Sequence, residues 1–230
     1  MNSSRIKNGE KGFCSWSGGK DCCLALYKAL RDGREVSRLL TMTGEESDKT
    51  VRAPHGLNRK IFDLQAEAME IPIYRQSVTW DSYERKFKEA VRELMDEESL
   101  SFGVFGDSEL QGHRDWVENT SSELGIEPIL PLWHVDPVKI YSQFIEAGFQ
   151  AIVINAGAEH FNQEVLGRRL DYDFLDFLSE EGIHPTGEGG EYHTLVIDGP
   201  LFERRIEITE KRELITEDRF VMDVKDCKLR

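Results

Sequence analysis

The chain has 230 residues, enough for one large α/β domain or one such domain with a smaller companion. Apolar residues make up 39% and charged residues 31%, a balance that excludes a disordered chain. The net charge of −14, from 43 acidic and 29 basic residues without a basic run, argues against nucleic acid and for a small molecule or another protein as partner.

No apolar run approaches the ~20 residues that span a bilayer. Residues 1–12 are polar and lack a secretory core, so the expected location is the cytoplasm, with no membrane partner. Cys14, Cys22, Cys23 and Cys227 have neither disulfide-framework nor zinc spacing and read as reduced, partly buried thiols.

Residues 12–16 read as a first strand. Cys23, Leu26, Tyr27 and Leu30 then recur at helical spacing, with Gly33 as the stop. Residues 36–42 form a second strand, and Leu57, Ile61, Leu64 and Ala68 a second helix. Residues 71–78 are a third strand. Tyr83, Phe87, Ala90 and Leu94 mark a third helix, residues 102–105 a fourth strand, 111–124 a fourth helix and 126–130 a fifth strand. Strict alternation of strand and helix predicts a parallel sheet with helices on both faces, that is, an α/β fold. Pro128, Pro131 and Pro137 punctuate the next stretch and predict a boundary at 131, dividing 1–131 from 132–230. Beyond it follow a helix over 138–147, a strand over 151–155 and a helix over 172–178. Runs of β character then centre on 195–197, 206–208 and 220–222.

Ser17-Gly18-Gly19-Lys20-Asp21 falls between the first strand and the first helix. Two glycines let backbone N–H groups turn inward, and the helix aims its dipole and unpaired N–H groups at the same point. The Ser17 hydroxyl and the Lys20 charge complete an anion site of pyrophosphate size. The spacing fits neither a Walker loop nor a dinucleotide fingerprint. Asp21 would repel phosphates unless Mg2+ lies between them, or it caps the helix. Open α/β sheets bind ligands beyond strand C-termini. Met42 and Thr43 at the end of strand two are therefore expected to contact a ligand through their backbone, and Gly106 and Asp107 after strand four share that edge. His55 reads as a phosphate or substrate contact, or as a surface residue. In Gly187-Glu188-Gly189-Gly190-Glu191-Tyr192-His193-Thr194, glycines permit close approach and two carboxylates stand ready for a substrate or a metal; alternatively, the segment is a turn with solvated glutamates.

Ser-Gly-Gly-Lys-Asp after strand one resembles the PP-loop of ATP pyrophosphatases, with Cys22 where most members carry serine or threonine. Adding Gly-Glu-Gly-Gly-Glu-Tyr near residue 190, the chain resembles the diphthine–ammonia ligase family over nearly its whole length. Further matches are Thr41-Met42-Thr43, Asp63-Leu64-Gln65-Ala66, Gly106-Asp107 and Pro131-Leu132-Trp133. The resemblance implies a Rossmann-like nucleotide fold with a smaller C-terminal α+β domain. It implies an ATP- and Mg2+-dependent ligase that adenylates a carboxylate and transfers ammonia, as in amidation of diphthine on elongation factor 2. On this reading Lys20, Asp21, Glu188 and Glu191 are catalytic, with Asp21 on the metal. Ser17, Gly18, Gly19, Met42, Thr43 and Gly106 hold ATP, and His55, Asp107, Gly189, Gly190 and Thr194 meet the substrate. Glu188 and Glu191 are both expected to face the cleft of Lys20, as ammonium sites, metal ligands or proton acceptors. No glutaminase signature is evident, so free ammonia is the expected nitrogen source. Rival readings are a PP-loop ligase for a small-molecule carboxylate, sulfur insertion into tRNA, and a nucleotide-binding protein without chemistry; a homodimer is a further partner reading.

Overall fold

A computed structural model describes residues 10–44 and 59–230. The first half forms a five-stranded sheet of order β3-β2-β1-β4-β5, from β1 (Lys11–Ser15), β2 (Glu35–Gly44), β3 (Ile73–Val78), β4 (Leu100–Val104) and β5 (Glu127–Ile129). Every neighbouring pair is parallel; Cys14 stands opposite Leu39 on one side and Val104 on the other. The alternation of strands with α1 (Lys20–Arg31), α2 (Arg59–Met69), α3 (Tyr83–Glu98) and α4 (Gln111–Leu124) is the expected one. The third strand starts two residues later than the apolar run, because Ile71 and Pro72 belong to the connection; the Pro72 carbonyl accepts from Leu39 N at 2.9 Å.

The C-terminal half builds a second sheet of order β7-β6-β9-β8, wholly antiparallel. Its strands are β6 (Gln150–Gly157), β7 (Tyr192–Asp198), β8 (Ile206–Ile215) and β9 (Arg219–Leu229), with α5 (Pro137–Glu146) and α6 (Tyr172–Glu180). Both helices start on a side-chain cap. Asp136 accepts from Lys139 N at 3.0 Å with Pro137 in the first turn, and Asp171 accepts from Phe174 N at 2.9 Å.

Helix α1 lies where the halves meet. It ends where Gly33, at φ +82°, lets Arg34 N reach the Ala29 carbonyl at 3.0 Å. The periodicity predicts one apolar face, yet Cys22, Cys23, Leu24, Ala25, Leu26 and Ala29 are all buried. The parallel sheet covers one side and the C-terminal half the other, where Tyr27 packs edge-on to Phe149 at 5.6 Å. One apolar cluster accordingly runs from Cys14 and Leu26 to Phe144, Val153 and Leu195. A second, with Phe13, Leu40, Phe87, Leu94 and Val117, fills the opposite face under α3 and α4. Truncating a side chain as buried as Leu26 to alanine would cost about 3 kcal/mol.

Candidate active site

The loop between β1 and α1 is shaped by contacts on both sides. Trp16 N donates to the Leu40 carbonyl at 2.8 Å, extending β1 towards the turn. Gly18 takes φ +77°, and a Cβ there would stand 2.8 Å from Gln65 Oε1. Gly19 precedes the helix, and its carbonyl accepts from Cys23 N at 3.3 Å. The Cys22 thiol is turned to the same carbonyl at 3.3 Å and to Ser17 Oγ at 3.4 Å, and burial pushes it up from the ordinary thiol range.

Buried Gln65 ties the loop to its surroundings. Its amide donates to the carbonyls of Gly18 at 3.0 Å and Val196 at 2.8 Å, while its oxygen accepts from Trp16 Nε1 at 2.9 Å. Val196 N donates to the Gly18 carbonyl at 3.0 Å, so β7 is docked directly on the loop. Thr194, on the same strand, accepts from Lys20 N at 3.1 Å. It therefore caps α1 from 174 positions away, satisfying one N–H of the first turn.

Lys20 is 4% exposed. Its ammonium donates to the Thr186 carbonyl at 2.5 Å, pairs with Asp21 Oδ2 at 2.9 Å and lies 5.4 Å from the centre of the Tyr192 ring. Burial holds the Tyr192 phenol well above its ordinary range, and it donates to the Pro185 carbonyl. His184 braces the same segment, with Nδ1 at 3.1 Å from Thr186 Oγ1 and Nε2 at 2.9 Å from Glu109.

Two carboxylates face Lys20 and Asp21 from other elements. Asp107, after β4, is raised above the usual carboxylate range by burial, with Asp21 adding to the shift and His113, at 3.2 Å, opposing it. Glu188 is raised by burial and by the charges of Asp21 and Asp107, against the pull of Lys20. Neighbouring Tyr83 is pushed up to about 12 by burial and by Asp107. Gly106 brings this strand end against α1; a Cβ there would lie 2.8 Å from Cys22 N.

The cleft so formed, of 550 Å³, opens at the C-terminal edge of the parallel sheet. Ser17, Gly19, Lys20, Asp21, Met42, Gly106, Asp107, Glu188, Gly190 and Thr194, all expected at the site, line it. Gly18 lies beneath the loop against Gln65 and Phe62. Thr43 is 1% exposed and does not line the cleft, because Met42 and Thr43 alternate along β2. His55 lies outside the described residues.

The expected pairing of Glu188 and Glu191 needs correction. Gly187 (φ +65°) and Gly190 (φ +84°) bend the chain, and Gly190 N closes the turn on the Gly187 carbonyl at 3.0 Å. Glu188 therefore faces Lys20, whereas Glu191 and Gly189 line a neighbouring cleft of 620 Å³ with His160 and Arg219. Arg219 fixes this arrangement from behind, donating to the Gly190 carbonyl at 3.0 Å and to Asn155 at 2.6 Å. One Glu191 oxygen, Oε2, is buried without a hydrogen-bond partner. Cleft residues that the sequence reading did not single out are Trp16, Trp80, Tyr83, His113 and Thr186. Position offers the one signal for them: they flank strand ends or the two glycine-rich segments.

The donor set suits a hard cation shared with a ligand. Three carboxylates converge, and the charge of Asp21 raises both Asp107 and Glu188, a repulsion that a cation would relieve. Among the described residues no three His, Cys, Asp or Glu side chains close on one point by themselves. Asp21, Asp107 and Glu188 nevertheless offer the hard oxygen donors that Mg2+ takes together with phosphate oxygens. Nor is any helix among the described residues long and apolar enough to cross a membrane.

A family model described as the diphthamide synthase N-terminal domain matches residues 10–128, and one described as its C-terminal domain matches residues 136–229. A protein of Schizosaccharomyces pombe named diphthine–ammonia ligase is 31% identical over 218 residues, covering 85% of this chain and 35% of that protein. The chain thus spans about a third of that relative's length. A Danio rerio protein of the same name is 29% identical over 231 residues, covering 88% of each chain. Among solved structures, one described as a predicted subunit of a tRNA methyltransferase from Methanocaldococcus jannaschii matches at 16% identity and a TM-score of 0.45, covering 83% of this chain and 98% of that one.

Proposed function

Because the chain belongs to the diphthamide synthase family, we propose that it is an ATP-dependent ligase that adenylates a carboxylate and converts it to an amide with ammonia. The observation that carries this reading is the meeting of the Ser17–Asp21 loop with the 186–191 segment around one cleft, bridged by Lys20 and Thr186.

A carboxylate oxygen attacks the α-phosphorus of ATP, the bond to the β-phosphate oxygen breaks, and pyrophosphate leaves. Ammonium gives up one proton to become ammonia, which attacks the acyl carbon; AMP departs, and a second proton must be taken up. Lys20 and the N-terminus of α1 are suited to the charge that develops on pyrophosphate. Gly19 and Gly106 let the loop and the strand end lie close against Thr194 and α1 at the edge of the cleft, and Met42 borders the space we assign to adenine. Mg2+ held by Asp21 would neutralise phosphate charge. Glu188, with its raised proton affinity, suits the proton acceptor. Glu191, with its orphaned oxygen, suits an ammonium site reached from the neighbouring cleft.

The names of the relatives support diphthine as the carboxylate, and the family resemblance implies elongation factor 2 as the protein that carries it. The test is incubation with MgATP, ammonium and diphthine-bearing elongation factor 2. The expected result is amide formation with stoichiometric pyrophosphate and AMP. Orthophosphate and ADP as first products would refute the loop's role. Pyrophosphate release without amidation of that protein would leave the ligase chemistry and remove this substrate.

A further inference from the structure

The Lys20 ammonium donates to the Thr186 carbonyl and to Asp21 Oδ2, on a side chain only 5% exposed. An ammonium has three N–H groups, so one is left to aim at a ligand. Its direction follows from where the Thr186 carbonyl stands. Whatever fixes that carbonyl therefore acts on the phosphate site.

Three successive carbonyls of the segment before β7 are engaged by three different donors. That of His184 accepts from Gly187 N at 3.0 Å, that of Pro185 from the Tyr192 hydroxyl, and that of Thr186 from Lys20. The Thr186 side chain has its own partner, with Oγ1 at 3.1 Å from His184 Nδ1. The other ring nitrogen, Nε2, stands 2.9 Å from Glu109. Glu109 lies on the connection between β4 and α4, which also carries Asp107 into the cleft. That connection is tied down in turn, since the Ser108 carbonyl accepts from His134 N at 2.9 Å. His134 holds φ +56°, a left-handed conformation that a non-glycine residue keeps only under constraint.

The side chains of His184 and Glu109 are 29% and 37% exposed, and a pair so open to water adds little to stability. Its use is directional. With Nε2–H given to the Glu109 carboxylate, Nδ1 of the neutral ring is left to accept from the Thr186 hydroxyl.

We propose, resting on the ligase reading above, that His184 is a positioning residue for Lys20. His184 does not line the cleft. It acts through Thr186, whose carbonyl aims the ammonium at the departing pyrophosphate, while Glu109 fixes the plane and tautomer of the ring. The run from Glu109 through His184 and Thr186 to Lys20 thus joins the connection after β4 to the loop after β1 by way of the C-terminal half.

The test uses the full chain and two changes that each keep one arm of the imidazole. His184→Gln puts an amide where Nε2 stands, within reach of Glu109, and loses Thr186. His184→Asn puts an amide where Nδ1 stands, within reach of Thr186, and loses Glu109. Both should melt within about 3 °C of the wild type. Calorimetric titration with inorganic pyrophosphate and Mg2+ should show about tenfold weaker binding in His184→Gln, and His184→Asn should recover most of it. The same split should appear in kcat for pyrophosphate release, with the KM for ammonium unchanged. Thr186→Val should match His184→Gln, joining the two should add no further loss, and Thr186→Ser should restore binding. Equal losses in the glutamine and asparagine variants, effects that add, or a fall in melting temperature alone overturn the proposal. So does a wild type that fails to bind pyrophosphate. A wild type that binds pyrophosphate yet forms no amide strikes the ligase reading, and the pyrophosphate titrations then judge His184 by themselves.

Discussion

The ammonium of Lys20 donates to the carbonyl oxygen of Thr186 at 2.5 Å, joining the loop after β1 to the turn before β7 across 166 positions of sequence. The lysine is thus held at the cleft before any ligand enters, with Asp21 and the Tyr192 ring fixing its direction. Lys20→Ala should lower pyrophosphate release about a hundredfold or more, the scale for removing one preorganised donor. The cost in stability should be only about 1 kcal/mol. Near-normal turnover in a folded variant, by a coupled pyrophosphate assay, would remove the proposed role.

Thr194 lines the cleft and also caps α1. Thr194→Val keeps the shape and removes the acceptor of the Lys20 N–H. It should destabilise the fold by about 1 kcal/mol and weaken ATP binding, and Thr194→Ser should restore both. Urea unfolding and nucleotide titration check the pair. A valine variant with unchanged unfolding would show that the cap contributes nothing.

Glu188 and Asp107 both have carboxyl groups raised by burial. A group whose folded value is raised contributes most to stability below its unfolded value of about 4, and that contribution is lost as pH rises through the folded value. At neutral pH each therefore destabilises the ligand-free protein. Glu188→Gln and Asp107→Asn should raise the melting temperature near neutrality, and the gain should shrink as pH falls towards about 4. Both should lower turnover. Melting curves across this range decide it; a gain that grows on acidification contradicts the assignment.

Gly106→Ala would place a methyl 2.8 Å from Cys22 N and 2.9 Å from the Asp21 carbonyl carbon, both in the backbone of α1. Neither can yield as a side-chain end would. The variant should lose about 1–3 kcal/mol and bind ATP more weakly, because the strand end and the helix must part. Wild-type stability together with wild-type ATP affinity would exclude this packing.

Glu191 has one oxygen buried without a donor. If ammonium supplies that donor, Glu191→Gln should raise the KM for ammonium about tenfold and leave the KM for ATP unchanged. A change confined to ATP would place Glu191 with the nucleotide.

The parallel sheet was legible because each strand is a short apolar run between helices of clear period, and order alone limits the topology. The loop of Ser17 to Asp21 was legible because its chemistry is local: two glycines, a lysine and a helix start. What was hidden depends on contacts distant in sequence or on backbone sign. Nothing in Thr194 marks it as the cap of a helix 174 positions earlier. Glu188 and Glu191 differ only in the side of a turn they occupy, which the positive φ values of Gly187 and Gly190 decide. Thr43 and Met42 illustrate the same limit on a strand: both are buried, and the pleat alone determines which one reaches the cleft.

Gln65 and β7 together have a consequence for dissecting the chain. A cut between residues 130 and 136 would leave the first fragment with its Gly18 carbonyl lacking the Val196 N–H, its Lys20 N–H lacking Thr194 and its Gln65 amide lacking the Val196 carbonyl. The outer side of α1, where Tyr27 meets Phe149, would be open to water. Neither fragment should behave as a free-standing nucleotide module, yet the two expressed together carry matching halves of one hydrogen-bonded seam. The protein is thus suited to fragment complementation, in which recovered ATP binding reports that the severed pieces have met.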